Sequence, residues 1–184
     1  MSGGHGHVDH HGGNKGIALL ISILALVLAF SETLGKGAQT AALAMNIEAS
    51  NLWAFFQAKT IRQTILRTAA DQTAVSSSSS GDSRKQIEAW KKTADRYQSE
   101  PETGEGRDQL AARAKQAEKK RDRSMAAYHH YELASAAVQI AIVLASASII
   151  TAMPLRAWIG GLLGLVAVAF CGIGFLAPES VHLF

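Results

Sequence analysis

Apolar residues are concentrated in three segments of the chain instead of being spread along it. The three runs cover residues 17–30, 133–150 and 158–176, while the residues between 59 and 123 are mostly polar. A soluble domain distributes its apolar side chains periodically, whereas segments of about 20 apolar residues are typical of helices that cross a bilayer. The pattern therefore predicts an all-α membrane protein. The predicted protein has three transmembrane helices, with a long helical, coiled-coil-like stalk inserted between the first and the second.

The first apolar run is about 14 residues long, which is shorter than the roughly 20 that a membrane-spanning helix needs. Extending it through Leu34 gives an adequate span with Glu32 at the interface. A cleaved signal peptide is the alternative, but the candidate cleavage site at residues 42–44 lies too far beyond the apolar run. Because apolar residues continue at helical spacing and no proline occurs before Glu100, the span is predicted to extend as an amphipathic helix.

Composition divides the remainder of the chain into short segments. Five consecutive serines and Gly81 indicate a mobile connector, since such residues bury nothing that offsets the entropy lost on ordering. Met153 and Pro154 indicate a tight turn, so the second and third spans form a hairpin. The predicted segments are a flexible Gly/His-rich tail (1–15), the first span (16–34), its helical extension (35–70), a Ser-rich linker (71–83), a short helix and turn (84–107), a stalk helix (108–132), the second span (133–152), the tight turn (153–157), the third span (158–177) and a C-terminal tail (178–184).

The stalk is predicted to pair the extension of the first span with the helix that leads into the second. That second helix has a weak heptad seam, formed by Leu110, Ala114, Ala117, Arg121, Ser124, Tyr128 and Tyr131. Trp53 and Phe56 are three residues apart and share a helix face, so we expect them to pack against this seam. With Ile61, they are predicted to contact Tyr128, Met125 and Ala117. Gln57 and Lys59 are predicted to lie off that face, where they are exposed and can reach polar partners.

Small residues follow one face of each of the last two spans, which lets helix backbones approach closely. They are Ala137, Ala141 and Ala145 in the second span, and Gly160, Gly164 and Gly172 in the third. Gln139 is the one strongly polar residue of the second span, and its amide is expected to face protein because it needs partners in hydrocarbon. The spans have no charged residue at mid-membrane depth, which disfavours ion-coupled transport.

Histidines in the tail are the candidate metal ligands. His5, His7, His10 and His11 stand close together and could bind Zn, Ni or Cu weakly, but nothing in the sequence pre-organises them. We therefore predict a solvated tail and no required cofactor. The adjacent His129 and His130 are interpreted as interfacial residues and not as ligands.

The charge distribution and the absence of catalytic motifs limit the possible functions. Formal net charge is +3, and the basic residues alternate with acidic ones, which argues against nucleic-acid binding. A single cysteine, Cys171, excludes an intramolecular disulfide. The sequence contains no phosphate-binding glycine loop, metalloprotease motif or nucleophile elbow, so the protein is predicted not to be an enzyme.

Two segments resemble the bacterial DUF4337 family. Residues 49–62 read Ala-Ser-Asn-Leu-Trp-Ala-Phe-Phe-Gln-Ala-Lys-Thr-Ile-Arg, which is similar to that family's Ala-Ser-x-x-Trp-x-x-Tyr-Gln-Ala-Lys-x-Ile-Lys stretch. Residues 139–146 resemble its second-span signature, and the order of segments also matches. Phe56 stands where the family has tyrosine, and Arg62 where it has lysine. The resemblance implies a bacterial membrane protein and supplies no activity.

The sequence thus favours a non-enzymatic integral membrane scaffold or accessory subunit. Its partners are the lipid bilayer and either further copies of itself or a larger membrane complex, with the stalk as the contact surface. A small channel or transporter component and a metal sensor with a His-rich tail are the alternatives. The expected location is the bacterial inner membrane, crossed several times. Lys and Arg near the spans favour a cytoplasmic insert, but the usually basic hairpin turn of the DUF4337 family favours a periplasmic one, which we adopt.

Overall fold

The computed structural model describes residues 11–76 and 81–180, and in this part of the chain it consists of four helices and no strands. The helices are α1 (His11–Ser76), α2 (Gly81–Gln98), α3 (Arg107–Thr151) and α4 (Pro154–Leu176). Helices α1, α3 and α4 are long and apolar enough to cross a membrane. The predicted all-α class and the three apolar helices are therefore confirmed.

Helix α1 runs beyond both ends of the predicted helical segment. It begins at His11, inside the predicted tail, and ends at Ser76, inside the predicted linker. Adding residues to an existing helix requires only propagation and no new nucleus, so polar residues at its ends can join it. Of the predicted metal ligands, His5, His7 and His10 lie outside the described residues. His11 is the first residue of α1.

The chain divides into two compact units, each of which is described by itself. The first unit, here called the apolar unit, comprises Met1–Ala41 and Arg123–Phe184. The second, here called the charged unit, comprises Ala42–Asp122. Helices α1 and α3 each contribute one part to each unit, whereas α4 belongs to the apolar unit and α2 to the charged unit.

Small residues form much of the core of the apolar unit. Its buried cluster contains Leu24, Ala134, Val138, Ala141, Ala145 and Ala167. A Cβ atom built on Gly160 would lie 2.9 Å from the carbonyl oxygen of Ala141, and one on Gly164 would lie 2.6 Å from Leu24 Cδ2. These two glycines therefore allow α4 to pack closely on α3 and α1.

The third close approach of α4 involves a different glycine from the one expected. A Cβ on Gly172 would have no neighbour within 4 Å, whereas one on Gly174 would lie 3.0 Å from His130 Cβ and 3.1 Å from the Tyr131 ring. The buried positions of α4 follow a spacing of three and four residues through Gly160, Gly164, Ala167 and Gly174. Gly172 is out of phase with that spacing, so its assignment to the small-residue face was wrong.

The buried residues of α1 in the charged unit follow a period near 3.5 residues. They are Ala42, Ala49, Leu52, Lys59, Gln63 and Ala70, separated by three, four or seven positions. This period is the one found in coiled coils, where it keeps one seam facing the partner helices. We call these six residues the inner seam; two of its members are polar.

Candidate functional site

The two polar members of the inner seam, Lys59 and Gln63, are the centre of the candidate site. They are four residues apart on α1 and so share a face. Lys59 is 5% exposed and Gln63 is 2% exposed. Helix α2, the turn that follows it and the first residue of α3 supply their partners. We define the polar cluster as Lys59, Gln63, Gln98, Glu100 and Arg107.

Lys59 is ion-paired inside the charged unit. Its Nζ donates to Glu100 Oε2 at 3.2 Å and lies 3.9 Å from Glu105 Oε2. The ammonium also lies 5.7 Å from the ring centroid of Phe55 and 5.5 Å from that of Tyr97, distances at which aromatic rings attract a cation. The hydrogen bond from Lys59 lowers the pKa of Glu100 below its ordinary value of 4.5. The Glu100 carboxylate is therefore held in its charged form.

The expectation that Lys59 is exposed is wrong. The sequence predicted that the packed face of α1 contains Trp53, Phe56 and Ile61. In the structure, the face that packs against the other helices contains Leu52, Phe56 and Lys59. Ile61 is 60% exposed and does not pack in the charged unit as predicted. A lysine can occupy the inner position because its long aliphatic stem packs like an apolar side chain while its amine reaches a carboxylate.

Gln63 connects α1 to both α2 and α3. Its Nε2 donates to the carbonyl oxygen of Ala94 at 2.9 Å and to Gln98 Oε1 at 3.3 Å. Its Oε1 accepts a short hydrogen bond from Arg107 Nη1, which also donates to Gln98 Oε1 at 3.0 Å. One glutamine side chain thus uses its amide donor and its acceptor to join three helices.

The Arg107 guanidinium is positioned by a cation–π contact as well as by hydrogen bonds. It lies 4.9 Å from the centroid of the Phe56 ring, a cation–π distance. Its Nε is buried and has no hydrogen-bond partner within residues 11–76 and 81–180. The guanidinium thus has a cation–π contact with Phe56 while Nη1 binds Gln63 and Gln98.

The turn between α2 and α3 positions Glu100. The backbone nitrogen of Gly104 donates to the carbonyl oxygen of Glu100 at 3.0 Å, and Gly104 has a φ of 69°, in the left-handed region that favours glycine. Gln109 accepts from the Glu100 backbone nitrogen at 3.3 Å and donates to Ser99 Oγ at 3.1 Å. A Cβ on Gly106 would lie 2.4 Å from the Glu100 backbone nitrogen, so this position requires glycine.

Trp53 and Phe56 form the apolar border of the polar cluster. Their rings meet edge to face, with centroids 5.4 Å apart, and pack against Leu52, Leu110 and Ala114. Trp53 Nε1 donates to Glu118 Oε1 at 2.8 Å. Trp53 and Phe56 therefore pack nearer the start of α3 than their predicted partners Tyr128 and Met125.

The other predicted site residues are not members of the polar cluster. Gln57 is exposed on α1 of the charged unit. In the apolar unit, Tyr128 is half-buried and its hydroxyl lies 3.4 Å from Glu132 Oε1. His130 is fully buried there, with Nε2 3.2 Å from the carbonyl oxygen of Pro178, so it packs inside the unit.

Gln139 was expected to face protein, but its side chain is exposed in this chain. Its Nε2 is 3.4 Å from Ser135 Oγ, one turn earlier on the same helix. It lines a groove of ≈ 440 Å³ within the apolar unit, together with Ser31, Glu32 and Gln39. Its amide therefore lacks a partner on another helix among the described residues.

Sequence reasoning missed four of the five members of the site: Gln63, Gln98, Glu100 and Arg107. A usable signal existed, since Lys59 and Gln63 fall in the same heptad frame as Ala42, Ala49 and Leu52. Polar residues inside an apolar frame indicate buried polar partners. The partners themselves lie 31 to 44 residues away along the chain, and no local pattern identifies them.

The polar cluster has the chemistry of a paired, hydrogen-bonded core. The Lys59 amine is bound to the Glu100 carboxylate. Within the described residues, no three His, Cys, Asp or Glu side chains are grouped to hold a metal ion. What the arrangement does is fix α2 and the following turn against one side of α1.

The fold and the site define an all-helical protein with three potential membrane-spanning helices and a polar-cored helical insert. The family model for the domain of unknown function DUF4337 matches residues 13–177, nearly the whole chain. The chain therefore belongs to this family, as its sequence motifs indicated. No curated protein and no solved structure matches the chain.

Glu100 should make the stability of the charged unit depend on pH. Its pKa is lowered by Lys59 in the folded state, so the folded carboxylate binds a proton less readily than the unfolded one. The pair's contribution is complete above pH 4.5 and is lost as pH falls through the lowered pKa. Thermal unfolding followed by circular dichroism should show wild type losing more stability on acidification than Glu100→Gln. Equal pH profiles of the two proteins would contradict this role for Glu100.

Proposed function

We propose that this protein is a non-enzymatic membrane scaffold or accessory subunit. Helices α1, α3 and α4 cross the bilayer in this proposal, and the charged unit supplies the surface through which the protein assembles. We place it in the bacterial inner membrane with the charged unit on the periplasmic side, following the reasoning from the sequence. The support comes from the exposed face of α1.

The observation that carries the proposal is an apolar stripe on the outer face of α1. Ile61 and Ile65 are each 60% exposed, and Val75 is 90% exposed. These residues belong to a row spaced by three and four positions, which we call the outer stripe: Ile47, Asn51, Ala54, Ala58, Ile61, Ile65, Thr68, Gln72 and Val75. An ordered row of exposed β-branched side chains on a polar insert is typical of an interaction surface.

The inner seam and the outer stripe of the charged unit have an unusual division of residue types. Lysine and glutamine are buried on the inner seam, while isoleucines are exposed on the outer stripe. The polar cluster holds α2 and the start of α3 on the inner side of α1. The outer side therefore stays open along the stripe, and its isoleucines would be covered only by another molecule.

Gln139 in the apolar unit gives independent support for assembly. Its side chain is exposed at a position within the predicted second span, and among the described residues its hydrogen-bond partner is Ser135 of its own helix. An amide in hydrocarbon is stabilised by hydrogen bonds to a neighbouring helix. A second protein chain in the membrane would provide that neighbour.

The test is a double substitution on the outer stripe. Ile61→Asn combined with Ile65→Asn should reduce the mass of the detergent-extracted assembly, because two apolar contacts become polar. Since both side chains are exposed, helicity should stay within about 10% of wild type by circular dichroism. The measurement is native mass spectrometry with identification of co-purifying proteins.

The matched control changes two exposed residues away from the stripe. Lys85→Asn with Lys92→Asn on α2 should leave both mass and partners unchanged, because these lysines are exposed on another helix. If wild-type protein is a single chain without partners, or if the isoleucine variant keeps the wild-type mass and partners, the proposed scaffold role is refuted.

A further inference from the structure

We propose that the outer stripe binds the outer stripe of a second copy of this chain, in parallel and in register, as a two-stranded coiled coil. This inference rests on the proposed function, since it names the partner that the exposed surface takes. It uses residues of the charged unit alone. The pair would be formed by α1 of one copy and α1 of the other.

The spacing of the outer stripe assigns its residues to the two core positions of a heptad. Asn51, Ala58, Ile65 and Gln72 occupy one core position, a. Ile47, Ala54, Ile61, Thr68 and Val75 occupy the other, d. The stripe extends over about four heptads, which is long enough for a coiled coil. All nine side chains are exposed except that of Ala58, which is half-buried.

The opposite side of α1 is the side that α2 and α3 cover. The inner seam follows a heptad repeat, and each residue of the outer stripe lies two positions after a position of that repeat. Ile61, for example, lies two positions after Lys59. Two residues correspond to a rotation of about 200° around a helix. A shallow groove of ≈ 450 Å³ runs along the stripe beside Ile61, Ile65 and Thr68. A second helix can therefore approach without meeting α2 or α3 of the same charged unit.

The two amides of the stripe favour identical chains in parallel register. In a parallel pair, each a residue faces the same residue of the other copy, so Asn51 meets Asn51 and Gln72 meets Gln72. Each amide has donors and an acceptor, so two equal amides can bond to each other. A single asparagine at an a position is a recognised determinant of register and of the two-stranded state.

An antiparallel arrangement of the same stripe is unfavourable. There, a positions face d positions, and placing Ile61 opposite Ile65 puts Asn51 opposite Val75 and Ala54 opposite Gln72. Both amides would then be buried without hydrogen-bond partners, which is costly. The polar residues of the stripe thus discriminate between the two directions.

The residues beside the stripe make the same distinction. In the parallel pair, Gln57 of one copy lies next to Arg62 of the other, and the glutamine oxygen can accept a hydrogen bond from the guanidinium. In the antiparallel pair, Arg62 of each copy lies next to Arg62 of the other, where like charges repel. Gln57 and Arg62 are both exposed in the single chain and are free to make this contact.

Cysteine cross-linking in membranes tests both the partner and the direction. In full-length Cys171→Ala protein, Ala54→Cys places equal thiols opposite each other across a parallel pair, at a distance a disulfide can bridge. Mild oxidation should convert most of this variant to a covalent dimer. The control Ala89→Cys, exposed on α2, should give at least about 10-fold less dimer. For direction, copies carrying Ala58→Cys are mixed with copies carrying Thr68→Cys, because these positions face each other only in the antiparallel pair and leave both amides in place. They should form no mixed disulfide.

Each alternative outcome has a definite meaning. Mixed disulfides between Ala58→Cys and Thr68→Cys copies would overturn the parallel direction. Absence of the Ala54→Cys dimer, with a different protein lost from the Ile61→Asn/Ile65→Asn variant, would overturn the second copy as partner while leaving the scaffold role intact. A wild-type protein that is a lone chain would refute both.

A second variant keeps the stripe apolar and removes its register signal. Asn51→Leu should retain assembly but lose the strict two-chain mass, giving larger oligomers or mixed registers, because the paired amides no longer exclude them. Native mass spectrometry of this variant and wild type measures the change. A strictly two-chain wild type together with an equally strict two-chain Asn51→Leu would overturn the role of Asn51 in the pairing.

Discussion

Lys59→Glu should unfold the charged unit or weaken it severely. The substitution brings a carboxylate into the buried position that Glu100 and Glu105 approach at 3.2 Å and 3.9 Å from the lysine amine. An ion pair becomes a cluster of like charges, and the removal of one partner from a buried pair is among the most destabilising changes known. We expect a fall of about 10 °C or more in the melting temperature measured by circular dichroism in detergent.

Two further variants separate charge from packing at this position. Lys59→Met keeps most of the aliphatic stem and should cost much less than Lys59→Glu. Exchanging the charges, as Lys59→Glu with Glu100→Lys, should recover part of the lost stability. If Lys59→Glu melts at the wild-type temperature, Lys59 is not the buried partner of Glu100 in the folded protein.

Gly106→Ala should be the most harmful single methyl group added to the charged unit. The new Cβ would lie 2.4 Å from the backbone nitrogen of Glu100 and 2.8 Å from Ser99 Cα, and neither backbone atom can move without opening the turn. Because this turn holds the Glu100 carboxylate within hydrogen-bond distance of the Lys59 amine, the substitution should disrupt the ion pair as well. We expect a loss of roughly 3 kcal/mol of stability, at the upper end of what overpacking costs.

Two other glycines serve as controls for Gly106. Gly81→Ala meets no atom within 4 Å and should be neutral. Gly104→Ala also has open space but a φ of 69°, so it isolates the cost of the left-handed backbone, about 1–2 kcal/mol. Denaturant unfolding of the three variants should rank Gly81, Gly104 and Gly106 in order of increasing loss. A Gly106→Ala protein as stable as Gly81→Ala would show that the turn can accommodate a side chain at residue 106.

The sequence predicted the helical class and the three apolar helices because length and uniform apolarity are local properties. It also predicted the close packing at Gly160 and Gly164, since small residues at a spacing of four mark a helix face. Gly172 was wrongly included because the motif does not define the phase of the face. The positions of His130 and Tyr131 on α3 make Gly174 the glycine in contact.

The polar cluster was harder to predict because its members come from distant parts of the chain. Trp53 and Phe56 were assigned to a packed face, but two aromatic residues do not determine which neighbouring stripe is buried. Ile61 is the more apolar residue and Lys59 the more polar, so local hydropathy placed them on the wrong sides. Lys59 can occupy the buried face because its ion-pair partner Glu100, in the turn that follows α2, is placed next to it.

The two stripes of α1 in the charged unit restrict how the length of this helix can change. One residue inserted near Ala49 would rotate everything after it by about 100°, moving both Lys59 and Ile61 away from their faces. An insertion of seven residues would return each to its original side and only lengthen the helix. Members of the family that differ in length here should therefore differ by whole heptads. Such differences change the length of α1 but keep the angular positions of its two stripes around the helix.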